Sequence, residues 1–138
     1  MKNFFGLVAG LAFGTLAFGQ GDEIDCKNAN STVEMNYCAG RIFQSADAEL
    51  NAVYGKVLSL AKAADAKAPN FGTGKPDFVN KLVASEKTWI KLRDQNCEFE
   101  SASWFGGTGY GYTYTNCLTK ETKSRTAYLR ALEKSFRR

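Results

Sequence analysis

Residues 31–60 read STVEMNYCAGRIFQSADAELNAVYGKVLSL, and this stretch decides the fold class. Ser31 followed three positions later by Glu34 is a capping box, in which a hydroxyl and a carboxylate satisfy the backbone amides that a helix start leaves unpaired. From there apolar side chains recur at Met35, Cys38, Ile42, Ala46, Leu50, Val53, Val57 and Leu60. Spacings of three and four keep them on one face of an α-helix. Gly40 is a place for a kink, and Pro69 sets the latest end, because the proline ring clashes with the preceding turn of a helix.

Working outward, residues 68–75 contain Pro69, Gly72 and Gly74 and read as a connecting loop. Pro76 suits the first turn of a second helix, where its missing amide hydrogen would be unpaired anyway. That helix continues on Phe78, Leu82, Ser85, Trp89, Leu92, Asn96 and Phe99, and a third is expected over residues 118–136 on Leu118, Thr122, Arg125, Leu129, Leu132 and Phe136. Between them residues 104–116, WFGGTGYGYTYTN, are rich in glycine and alternate Tyr with Thr, which predicts a small hairpin or an ordered loop. The expected fold is all-α: a small three-helix antiparallel bundle with a Gly/Tyr-rich loop between helices two and three, and two disulfides.

The start of the chain explains the disulfides. Residues 1–19 carry Lys2, an apolar run over residues 4–18, and small residues Ala17 and Gly19 before a cut, the layout of a secretory signal peptide. The run is shorter than the roughly 20 apolar residues of a membrane span. Cleavage after Gly19, or failing that after Gly21, leaves residues 20–138 as one helical domain with no membrane span, and no cysteine stands at either cut to carry a lipid. Four cysteines in a small exported chain favour two disulfides. Of the three connectivities that four cysteines allow, the sequential one, Cys26 with Cys38 and Cys97 with Cys117, closes the short loops flanking expected helix ends. Each bond contributes roughly 3 kcal/mol on the loop-entropy account.

Several kinds of chemistry are excluded or weakened by composition. The chain has no histidine, the base on which serine and cysteine hydrolases usually depend. Cysteine gaps of 12, 59 and 20 positions do not match zinc-site spacings, so neither metal nor cofactor is expected. The G-G-T-G-Y-G segment lacks the lysine and the preceding strand of a phosphate-binding loop. A net charge of +4, lowered by one when Lys2 leaves, is mild. The cations are dispersed, with one dense run at Lys134, Arg137 and Arg138, and no nucleic-acid partner is expected. Glu86, Asp94, Glu98 and Glu100 leave room for a weak carboxylate-dependent glycan hydrolase, although the same spacing fits a solvated helix face.

Two groups of residues remain. Trp104, Phe105, Tyr110, Tyr112 and Tyr114 on their glycine-rich frame suit contact with a partner, since rigid aromatics offer area at low entropy cost; the plainer reading is that they cover the end of the helical core. Asp47, Asn51 and Tyr54 at helical spacing, with Arg93, Asp94 and Arg125 near the apolar stripes, must be paired if they are buried. They are expected to form a structural polar network that holds the three helices in register.

The same residues carry a resemblance. Residues 26–38 (CKNANSTVEMNYC), 46–54 (ADAELNAVY) and 89–97 (WIKLRDQNC), then Gly106-Gly107, Cys117-Leu118-Thr119 and residues 125–129 (RTAYL), resemble the lysozyme-inhibitor LprI N-terminal-domain family in order and over nearly the whole chain after the signal. The chain departs from that pattern at Glu86, where the family usually has glutamine, at Leu92 in place of an aromatic, and in a longer linker after Lys62. The resemblance implies a small helical domain exported to the bacterial envelope or beyond, acting by binding and not by catalysis, with a lysozyme as the implied target. Its expected route is insertion of residues 104–114 into a substrate cleft. Many lysozymes are strongly basic, so an acidic surface would steer the encounter, and Asp22, Glu23 and Asp25 offer one locally. The alternative is an envelope module that binds a glycan or another protein.

Overall fold

In the computed structural model, which describes residues 24–72 and 74–137, the fold is three α-helices: α1 Thr32–Lys67, α2 Phe78–Ser101 and α3 Tyr110–Phe136. The signal segment, its cleavage site, and Asp22 and Glu23 lie outside the described residues. The capping box forms as its spacing requires. The Glu34 amide donates to Ser31 Oγ at 3.2 Å, and Glu34 Oε2 accepts from the amides of Ser31 and Asn30 at 3.0 and 3.1 Å. Those amides, Ser31 first, hold the Glu34 carboxyl below its usual pKa.

α1 runs unbroken through Gly40 and buries Cys38, Ala39, Ala46, Leu50, Val53, Val57 and Ala61. Ile42, expected on this face, is 50 % exposed; the stripe drifts because 3.6 residues per turn does not divide evenly into spacings of four. α1 ends at Lys67, and Ala68 is extended, the conformation that a following proline imposes.

α2 begins two residues later than Pro76 suggests. Its amides at Phe78 and Val79 donate to the Asp65 carboxylate of α1, at 2.7 and 2.9 Å. A side chain from another helix thus does the capping, while the cap residue Asp77 takes a left-handed conformation with φ 57°. The buried face of α2 also differs from the expected stripe. It follows Leu82, Glu86, Trp89, Arg93, Cys97 and Ser101, and leaves Leu92, Asn96 and Phe99 on the outside. Cys97 must face Cys117, and that bond fixes the rotation of the helix.

The largest correction concerns residues 110–116, which form the first two turns of α3 and are neither hairpin nor loop. Alternating Tyr and Thr favours a strand only when a partner strand is present, and none exists among the described residues. In helical register Tyr110, Tyr114, Cys117 and Leu118 fall on one face, and the rings of Tyr110 and Tyr114 stack at 6.1 Å. The link from α2 to α3 shrinks to a 3-10 turn, Ala102–Trp104, and residues 105–109.

Four contacts fix the directions of the helices. Asp65 meets the start of α2, Phe78 meets Phe136 at 5.7 Å, Cys97 joins Cys117, and Asn36 lies against Gly111. The bundle therefore runs up, down and up, with the start of α1, the end of α2 and the start of α3 at one end. Both disulfides are the sequential pairs, Cys26 with Cys38 and Cys97 with Cys117, with Cα atoms 5.5 and 5.4 Å apart. Two small cores result: Leu50, Val53, Val57 and Leu129 at mid-bundle, and Cys97, Cys117 and Leu118 under Phe43 and Tyr114 at the disulfide end.

Candidate functional site

The polar residues marked in the sequence gather around Trp89. The guanidinium groups of Arg93 and Arg125 lie over its ring at 5.1 and 5.6 Å; Arg93 also reaches Phe43 at 5.9 Å, and Arg125 reaches Tyr128 at 5.1 Å. Such cation–aromatic contacts strengthen when water is displaced. Arg125 forms an ion pair with Glu86 at 2.9 Å, both side chains nearly buried, and donates to Ser85 Oγ at 3.0 Å. Arg93 binds Asp94 beside it at 2.8 Å. Asn51 donates to Asp47 at 2.9 Å.

Asp47, Asn51, Tyr54, Glu86, Trp89 and Arg93 line one shallow cleft of about 300 Å³ between α1 and α2. Burial, and then the nearby Glu86 carboxylate, push the Tyr54 phenol above its usual value, with Arg125 opposing. Glu86 is the member that the apolar-stripe reading overlooks. Its signal is its spacing, three residues before Trp89 and seven before Arg93, which places all three on the buried face of α2. Two of the four carboxylates considered for hydrolysis, Glu86 and Asp94, are bound to arginines, while Glu98 and Glu100 point to solvent. Arg125 with Glu86 joins α3 to α2, while Arg93 with Asp94 and Asn51 with Asp47 bond within one helix.

The aromatic group divides in two. Tyr114 is partly buried against the disulfide core, and Tyr110, also partly buried, stacks on it. Burial and the carboxylates of Asp94 and Glu98 raise the Tyr114 phenol, with Arg93 opposing. Trp104, Phe105 and Tyr112 instead face outward, Phe105 at 87 % and Trp104 at 54 % exposure, with Phe99 at 85 % on the last turns of α2. These rings are not loosely held. The Gly107 amide donates to the Trp104 carbonyl at 2.9 Å, Phe105 meets Tyr110 edge-on at 6.4 Å, and Trp104 lies so close to Gly109 that a Cβ there would be 2.6 Å from the indole. The short corner is tied at its base by Cys97 and Cys117.

Comparison with known proteins agrees with this geometry. Residues 25–129 match the family model described as lysozyme inhibitor LprI. An uncharacterised protein of Rhizobium meliloti (strain 1021) is 32 % identical over 119 residues, 86 % of each chain. The crystal structure of a DUF1311-family protein from Pseudomonas putida KT2440 is similar with a TM-score of 0.61, at 25 % identity, over 72 % of this chain and 91 % of that one. The paired cysteines and these relatives together point to an extracytoplasmic protein, and no helix among the described residues is long and apolar enough to cross a membrane. With its helices, its disulfides and the match across most of its length, the chain belongs to the LprI lysozyme-inhibitor family.

Proposed function

We propose that the protein is a secreted or periplasmic inhibitor of a lysozyme or related muramidase, and that it acts by docking the aromatic end of its bundle into the enzyme's substrate cleft. The observation that carries this reading is the exposed corner of Trp104 and Phe105 on a disulfide-tied base. Prearranged aromatics lose little entropy on binding and make effective anchors. A muramidase cleft holds a glycan between two carboxylates, and a wedge of rings blocks it without offering a bond to cleave. Charge supports the same end. When each helix is divided at its middle, the aromatic half, residues 24–49 and 90–122, holds eight carboxylates against five cations, a surface that attracts a basic enzyme.

Cell-wall turnover by several lysozyme types, measured with the protein in micromolar excess, tests the reading. Inhibition is expected for at least one type, and it falls about tenfold or more in the double variant Trp104→Ala/Phe105→Ala. Unchanged turnover across the panel removes the proposal. The same rings can stack on sugars, so retention on washed cell-wall fragments without muramidase inhibition would assign the corner to a glycan instead.

A further inference from the structure

The opposite end of the molecule has a different chemistry. There α1 ends, α2 begins and α3 ends, held together by the Asp65 carboxylate on the α2 amides and by the Phe78 and Phe136 rings. The half of the bundle that includes this end, residues 50–89 and 123–137, holds eleven lysines and arginines against four carboxylates. Three of those carboxylates are already engaged: Asp65 by backbone amides, Glu86 by Arg125 and Glu133 by Arg137. Lys62, Lys67, Lys75 and Lys134 are exposed and enter no ion pair among the described residues.

Among the described residues Phe71 is the most exposed large apolar side chain of this basic half, ahead of Tyr128 and Phe78. In the linker between α1 and α2, the Phe71 amide donates to the Gly74 carbonyl at 3.2 Å and the Gly72 amide to Asn70 Oδ1 at 3.1 Å. Gly72 and Gly74 take φ values of +80° and +113°, which side-chain-bearing residues rarely adopt. Phe71 is 67 % exposed, four residues from Lys67 on one side and four from Lys75 on the other. A lone exposed ring is unremarkable by itself. An exposed ring in a linker, flanked in sequence by Lys67 and Lys75 at the cationic end of a polarised bundle, has the chemistry of an interfacial anchor.

The geometry points to a reversible membrane-docking face: Phe71 with the flanking Lys67 and Lys75 seats on an anionic phospholipid surface. Lysines gain from the negative potential of the headgroups, and an aromatic ring settles at the boundary between headgroup and acyl chain. One ring and a few lysines give weak, salt-sensitive attachment that needs both components. The bilayer is preferred to other polyanions because Phe71, the most exposed large apolar group of this basic half, has an acyl phase to enter there, and a polyanion without one offers it nothing. Docking of this kind would turn the Trp104 and Phe105 end away from the membrane, toward whatever lies in the compartment.

Co-sedimentation of the exported protein with phosphatidylcholine vesicles, with and without phosphatidylglycerol, tests this face. The expected results are at least about tenfold tighter binding to the anionic vesicles, loss of that preference in high salt, weaker binding by Phe71→Ala, and near-complete loss in Lys67→Glu/Lys75→Glu. Circular dichroism of the variants checks that they are folded. Equal binding to both vesicle types, no binding to either, retention by soluble polyanions but not by vesicles, or wild-type binding by folded variants would each overturn the inference. Muramidase inhibition by Phe71→Ala should equal that of the wild type, which separates this face from the aromatic end.

Discussion

Tyr54 and Tyr114 show how single residues record their surroundings. Both phenols are raised above the usual value of 10.0, first by burial and then by carboxylates, Glu86 for Tyr54 and Asp94 with Glu98 for Tyr114. A raised value means that the folded state holds the phenol proton more tightly than the unfolded chain does. The associated stability is therefore complete below about pH 10 and is lost as pH rises through the folded value. Thermal unfolding midpoints should fall in this alkaline window, and the fall should be shallower in Tyr54→Phe/Tyr114→Phe; an equally steep decline in that variant would place its source elsewhere. At the same scale, Gly109 is legible only in three dimensions, because the space it leaves is filled by a residue five positions earlier.

Among the elements, α2 departs from its pattern in both its start and its buried face. It starts at a cap residue, Asp77, with a left-handed backbone that costs a side-chain-bearing residue about 1–2 kcal/mol. No hydrogen bond from the Asp77 side chain offsets that cost, because Asp65 supplies the cap. Asp77→Gly should stabilise the fold by up to about 1 kcal/mol, read as a higher urea midpoint at unchanged slope. The start and the latest end of α1 are legible in Ser31, Glu34 and Pro69, since caps and prolines act locally. The start of α3 is not, because its alternating Tyr and Thr carry strand propensity, which tertiary packing overrides. The packing that wins joins Tyr114 to Cys97, Cys117 and Leu118.

For the whole molecule, the cluster at Trp89 does what a larger core would do elsewhere. Glu86 of α2 and Arg125 of α3 form a nearly buried pair whose arginine rests on Trp89. Removing one partner leaves the other charge buried without compensation, so Glu86→Ala should cost about 3 kcal/mol, visible in chemical denaturation. Glu86→Gln keeps an acceptor for Arg125 and should cost less. An Ala variant as stable as the wild type would show the pair to be ornamental. Asp47, Asn51, Tyr54 and Arg93 share a cleft with Glu86, while Asp94 and Arg125, also expected in one polar region, do not line it. The pairing was not readable, because Glu86 and Arg125 stand 39 positions apart.

The amino-acid sequence by itself determined the local events of this protein: a capped first helix, a proline-limited end to it, and cysteine pairs that close short loops. Each depends on residues close together in the chain, where spacing translates directly into geometry. Only the tertiary structure decided which face α2 buries, that the Tyr and Thr run is helical, and which aromatics are exposed. It alone also separated the charges, gathering cations that look dispersed along the sequence at one end and carboxylates at the other. The physical reason is the up, down and up topology, which brings together residues from three distant segments and so sums charges and surfaces that no local window contains.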